Sequence, residues 1–108
     1  MLYYDFAVIE ILKRIRHRLS DITKWKKSVW AESRDGHLCL PTSENAVVWD
    51  VLGAILKETP DNAMWKIRCE VYSRINTVKP SHYNSIEKWE AQATHQEVLQ
   101  VLDNAILV

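Results

Sequence analysis

A chain of 108 residues, 47% hydrophobic and 26% charged with two glycines and three prolines, has the make-up of one folded domain, not of a disordered segment. Fourteen basic residues against fourteen acidic ones leave no net charge, which disfavours a dedicated nucleic-acid-binding domain with an overall basic excess. No run approaches the roughly 18 apolar residues of a membrane span, and Asp5 and Glu10 precede any basic cluster, the wrong order for a secretory signal.

The neutrality hides an asymmetry. Residues 1–30 hold seven Lys or Arg and three acids, so residues 31–108 hold seven bases and eleven acids. Either the two segments lie against each other and neutralise internally, or the first presents a basic face to a partner. Cys39 and Cys69 allow one bridge at most in a chain with ample apolar content, which predicts two reduced thiols in a cytosolic protein.

The first helix is predicted over residues 5–22, where Val8, Ile11, Leu12, Ile15, Leu19 and Ile22 repeat at intervals of three and four. Lys13, Arg14 and His17 fall on its opposite side, while Arg16 and Arg18 flank the stripe and can lay their stems over it. Residues 24–30 read Lys-Trp-Lys-Lys-Ser-Val-Trp and place Lys24, Lys26 and Lys27 around Trp25 and Trp30. Basic charge beside flat rings can track phosphates and stack bases, or seat a protein partner around an aromatic anchor. Asp35-Gly36 predicts a turn between residues 24–33 and 37–40, a small hairpin. In an unbroken strand Trp25 and Trp30 point to opposite faces, so one of them is expected at the surface.

Pro41 ends this segment, and Thr42 or Ser43 is placed to cap a second helix over residues 44–57 that buries Val48, Val51, Leu52, Ile55 and Leu56, with Trp49 at its margin. Gly53 inside it costs about 1 kcal/mol against alanine and marks either a close approach or a tolerated surface position. A third helix over residues 62–75 carries Met64, Ile67, Val71 and Ile75 inward, broadened by Trp65, Cys69 and Tyr72, and is expected to be the most enclosed. A short helical turn with Ile86 and Trp89 precedes Thr94-His95-Gln96-Glu97, a capping box that opens the last helix, which buries Val98, Val101, Leu102 and Ala105. The fold class expected is mainly α, about four helices in a small orthogonal bundle with a hairpin-like insertion between the first two, and α+β as the alternative.

Residues 25–36, then Ala46-Val47-Val48-Trp49 with Leu52-Gly53-Ala54-Ile55, then residues 86–89 with residues 94–106, resemble a family of small bacterial and phage-encoded proteins known only as a domain of unknown function. The resemblance covers most of the chain. It implies a bacterial or phage cytoplasmic setting but no catalytic residues. Family members often carry Cys after each of the first two motif tryptophans, where this chain has Lys26 and Asp50, a departure that weighs against a thiol or metal role.

No residue pattern specifies a reaction. His37 and Cys39, with Cys69 and His95, lack the paired spacing of zinc sites, and Gly36 and Gly53 have no glycine partners for a phosphate loop. No catalytic group, cofactor or metal site is predicted. The expectation is a non-enzymatic binding protein whose partner is another protein, engaged through Lys24, Trp25, Lys26, Lys27 and Trp30 and the basic back of the first helix at Lys13, Arg14 and His17. A phage-encoded inhibitor of a host complex would fit the size. The alternative is a nucleic-acid binder using residues 24–30.

Overall fold

The computed structural model describes residues 2–107. Helix α1 (Leu2–Leu19) sets Val8, Ile11, Leu12, Ile15 and Leu19 into the core, as their spacing predicts. It ends before Ile22. The Ser20 hydroxyl donates to the His17 carbonyl at 2.6 Å, and the Asp21 carboxylate accepts the Thr23 N–H at 2.9 Å to open a 3-10 turn at Ile22–Lys24. That turn points Ile22 to solvent, 64% exposed, so the expected end of the apolar stripe is outside the core.

Strands β1 (Ala31–Ser33) and β2 (Ala46–Trp49) pair antiparallel, Ala31 opposite Trp49 and Glu32 opposite Val48, with an irregularity between Glu32 and Ser33. The Asp-Gly turn forms, with Gly36 at φ 80° and the Ser33 N–H donating to the His37 carbonyl at 2.9 Å. The hairpin expected around it is rudimentary: Leu38 makes a single bridge to Glu32, and the main partner of β1 is β2. Residues 46–49, expected at the start of the second helix, are therefore strand. Ala-Val-Val-Trp is apolar, β-branched and aromatic, and suits a half-buried sheet. The helix cap lies further on: Asp50, at φ −86° and ψ −176°, accepts the Gly53 N–H at 2.7 Å and starts α2 (Val51–Glu58). Ser43 instead closes a turn by accepting the Asn45 N–H at 3.1 Å.

In α2, Val51, Gly53, Ala54 and Ile55 are buried. Gly53 is a close-approach glycine, because a Cβ there would stand 1.7 Å from the Trp30 carbonyl oxygen. A 3-10 turn at Asn62–Met64, capped by Asp61, leads into α3 (Trp65–Val78). Only Val71 and Ile75 of α3 are fully buried, and Trp65 is 56% exposed, so α3 is not the most enclosed helix. Ser85 caps the short α4 (Ile86–Glu90). The capping box opens α5 (His95–Leu107): Thr94 Oγ1 accepts the Glu97 N–H at 3.2 Å, and Glu97 Oε1 accepts the Thr94 N–H at 2.8 Å. Val98, Val101, Leu102 and Ala105 face inward as predicted.

Helix α1 packs against α2, α3 and α5, and its stripe supplies five members of one apolar core that also takes in Trp49 and Trp89. The architecture is mainly helical, with five α-helices and one two-stranded sheet among the described residues. None of these helices is long and apolar enough to cross a membrane.

Candidate partner-binding groove

Residues 24–30 do not form one surface. Trp25 is half-buried, and its indole N–H donates to Glu90 Oε2 at 2.6 Å while its ring lies 5.6 Å from that of His95. The His95 Nε2 in turn donates to the Leu19 carbonyl at 2.6 Å. Ser28 takes a left-handed conformation, φ 66°, and swings the chain so that Trp30 emerges on another side, 54% exposed. One tryptophan of the pair thus reaches the surface as strand parity required, although a turn, not an unbroken strand, separates them. Lys26 pairs with the buried Glu32 at 3.0 Å, and Lys27 lies 5.9 Å above the Trp25 ring, with its ammonium donating to the Ala91 carbonyl at 3.4 Å.

Lys24 goes elsewhere. The 3-10 turn carries it back toward α1, where Lys13, Arg14 and His17 project from the face opposite the apolar stripe, and these four residues line one groove of about 620 Å³. Arg18, Ser20, Asp21 and Glu58 complete it. Hydrogen bonds from the Thr23 hydroxyl and N–H hold the Asp21 carboxyl below its usual range, so it stays ionised beside Lys24.

The ion pairs explain why this groove is basic. Of the seven bases in residues 1–30, Arg16 bonds Asp103 at 2.9 Å, Arg18 bonds Glu58 at 3.0 Å and stacks 4.7 Å over the Trp49 ring, and Lys26 and Lys27 are engaged as described. Carboxylates therefore neutralise three, and Lys27 is engaged by a carbonyl and a ring. The side chains of Lys13, Arg14 and Lys24 enter no ion pair among the described residues, and all three line the groove.

A second cluster was not legible in the sequence. Glu90, 2% exposed, accepts from the Trp25 indole and from the backbone N–H of Val51 at 2.9 Å, the first residue of α2, next to the capping Asp50. Burial pushes the Glu90 carboxyl up to about 7, against the Trp25 hydrogen bond, and Asp50 adds repulsion. Burial likewise raises Asp50 to about 6. Ser28, Trp30 and Glu87 border the same small hollow. The arrangement ties the 25–30 segment, α2 and α4 together through the Trp25 indole and the Val51 and Gly53 backbone N–H groups.

Trp49, expected at the margin of the second helix, is core, as is Trp89, with the Trp49 indole donating to the Pro41 carbonyl at 3.0 Å, whereas Trp65, expected to broaden an inward stripe, is exposed. Cys39 is half-buried and Cys69 exposed, both as free thiols. Among the described residues no group of three or more His, Cys, Asp or Glu is placed to hold a metal ion.

No curated protein and no solved structure matches the chain. A family model does, described as a family of unknown function (DUF6197), over residues 4–107. With nearly its whole length matched, the chain belongs to that family.

Proposed function

We propose that the protein is a non-enzymatic binding module that receives an acidic segment of another protein in the groove of Lys13, Arg14, His17 and Lys24. The observation that carries this reading is the convergence on one concave surface of Lys13, Arg14 and Lys24, three of the four bases of residues 1–30 that enter no ion pair among the described residues. Asp21 in the same lining favours a protein over a polyanion, because a phosphate backbone would run against that carboxylate, while a protein segment can place a donor opposite it; Glu58 is already paired with Arg18.

Nucleic acid is the second reading, and its support is weaker in this geometry. Stacking is strongest on large rings, yet Trp25 is held by Glu90 and no Trp, Tyr or Phe lines the groove. A bacterial or phage origin, including action as an inhibitor of a host complex, belongs to the proposal and rests on the family resemblance alone, while a cytoplasmic setting, also proposed, rests on the two cysteines.

The test is a pull-down from bacterial lysate with tagged wild type and with the double variant Lys13→Glu, Lys24→Glu, each with and without nuclease. Capture of discrete proteins that survives nuclease and is lost in the variant is expected. Capture abolished by nuclease would transfer the reading to nucleic acid.

A further inference from the structure

A second hollow lies along the same helix. Phe6, Ala7, Ile11, Met64 and Ile67 line a depression of about 290 Å³ between α1 and α3, with Phe6 66% exposed. Arg14 belongs to both hollows, so the apolar one and the basic groove meet at that residue. At 3.6 residues per turn, Phe6, Glu10, Lys13 and His17 fall on one face of α1, and the rise of 1.5 Å per residue puts about 16 Å between its ends.

We infer that this face takes a linear segment of a partner protein that is apolar at one end and acidic at the other. The inference rests on the binding function proposed above and specifies its partner. Apolar side chains enter the hollow beside Phe6 and Ile67, and carboxylates follow over Arg14, Lys13 and Lys24. A span of about 16 Å corresponds to roughly eleven helical residues or five extended ones. Charge complementarity sets the occupant: Lys13 and Lys24, which border the basic groove alone, call for carboxylates at the far end, with Arg14 at the junction. Glu10 lines the apolar hollow and repels carboxylates there, which fixes the direction in which the segment lies. Burial of the partner's apolar end supplies affinity, and the charges supply orientation and on-rate.

The full-length protein, immobilised, is to be selected against a randomised library of 12-residue peptides, and the best peptides titrated onto wild type, Phe6→Ala and the double variant Lys13→Glu, Lys24→Glu, with circular dichroism confirming each fold. Enrichment of peptides with aliphatic or aromatic residues at one end and Asp or Glu at the other is expected. Affinity should fall at least threefold in Phe6→Ala at any salt, and at least tenfold in the lysine variant with loss of salt dependence. Glu10→Lys should shift the selected pattern toward acidic residues along the whole peptide.

Acidic peptides with no apolar preference, unaffected by Phe6→Ala, would overturn the inference and leave the basic-groove function standing. Uncharged or basic peptides, or no enrichment at all, would sink both. Vesicles containing phosphatidylserine that bind more tightly than the peptides and depend on both Phe6 and the lysines would replace the protein segment with a membrane surface.

Discussion

The Trp25 indole and the Glu90 carboxylate, 65 residues apart in sequence, meet at 2.6 Å, and the same carboxylate receives the first N–H of α2. One buried side chain thereby fixes where the 25–30 segment leaves the core and where the second helix begins. Glu90→Ala would orphan both donors, at about 1–3 kcal/mol each, and should lower the denaturant midpoint clearly. Glu90→Gln keeps one acceptor oxygen and should cost less.

The raised carboxyls give a pH dependence with a definite sign. Glu90 moves from an ordinary 4.5 to about 7 and Asp50 from 3.8 to about 6 on folding, so between those values the folded state binds more protons than the unfolded one. Stability from these groups is therefore full below about pH 4 and lost as pH rises toward 7, on the order of 3 kcal/mol for Glu90. Urea melts from pH 4.5 to 8 should show the decline, and Glu90→Gln should flatten it. A wild-type profile that rises with pH over this window would contradict the assignment.

Gly53→Ala should destabilise by roughly 1–3 kcal/mol, because the added methyl meets the Trp30 backbone carbonyl and the helix-propensity gain of about 1 kcal/mol does not compensate. Thermal unfolding decides it. A higher midpoint in the variant would show that the 25–30 segment yields at no cost.

Leu12 is wholly buried in the stripe of α1, so Leu12→Ala should cost about 2–5 kcal/mol, read from denaturant melts. Trp30→Ala, half in solvent, should change stability by less than about 0.5 kcal/mol while leaving Trp25 in place.

Thiol chemistry supplies an independent check of exposure. Cys69 stands at the surface of α3 and Cys39 is half-buried, so a thiol reagent should modify both without prior reduction, Cys69 first. Mass spectrometry of the unreduced protein showing a Cys39 to Cys69 bridge would rule this out.

What the sequence disclosed was whatever local period or capping encodes. The stripe of α1 and the Thr94 to Glu97 box are local signals, and both are present as read. Residues 46–49 were misread because a four-residue apolar run has no resolved period; only the Asp50 cap tells where the helix starts, and that carboxylate could have been found from its position three residues before Gly53. Trp65 is expected inward by spacing alone, but at the first turn of α3 it faces solvent while Met64 and Ile67 beside it pack against the core. Residues 24–30 looked like one site because charge and aromaticity are adjacent in sequence, whereas the left-handed Ser28 disperses them. Long-range partners, Glu90 for Trp25 and Asp103 for Arg16, leave no local trace.

The pairing of α1 with α5 also bears on synthesis. The helix that organises the core is translated well before its covering residues Val98, Leu102 and Ala105, so α1 must wait with part of its stripe bare. Folding of this domain is completed only once α5 has left the ribosome, and nascent chains stalled before residue 98 should be held by chaperones and cleaved by proteases that the finished protein resists.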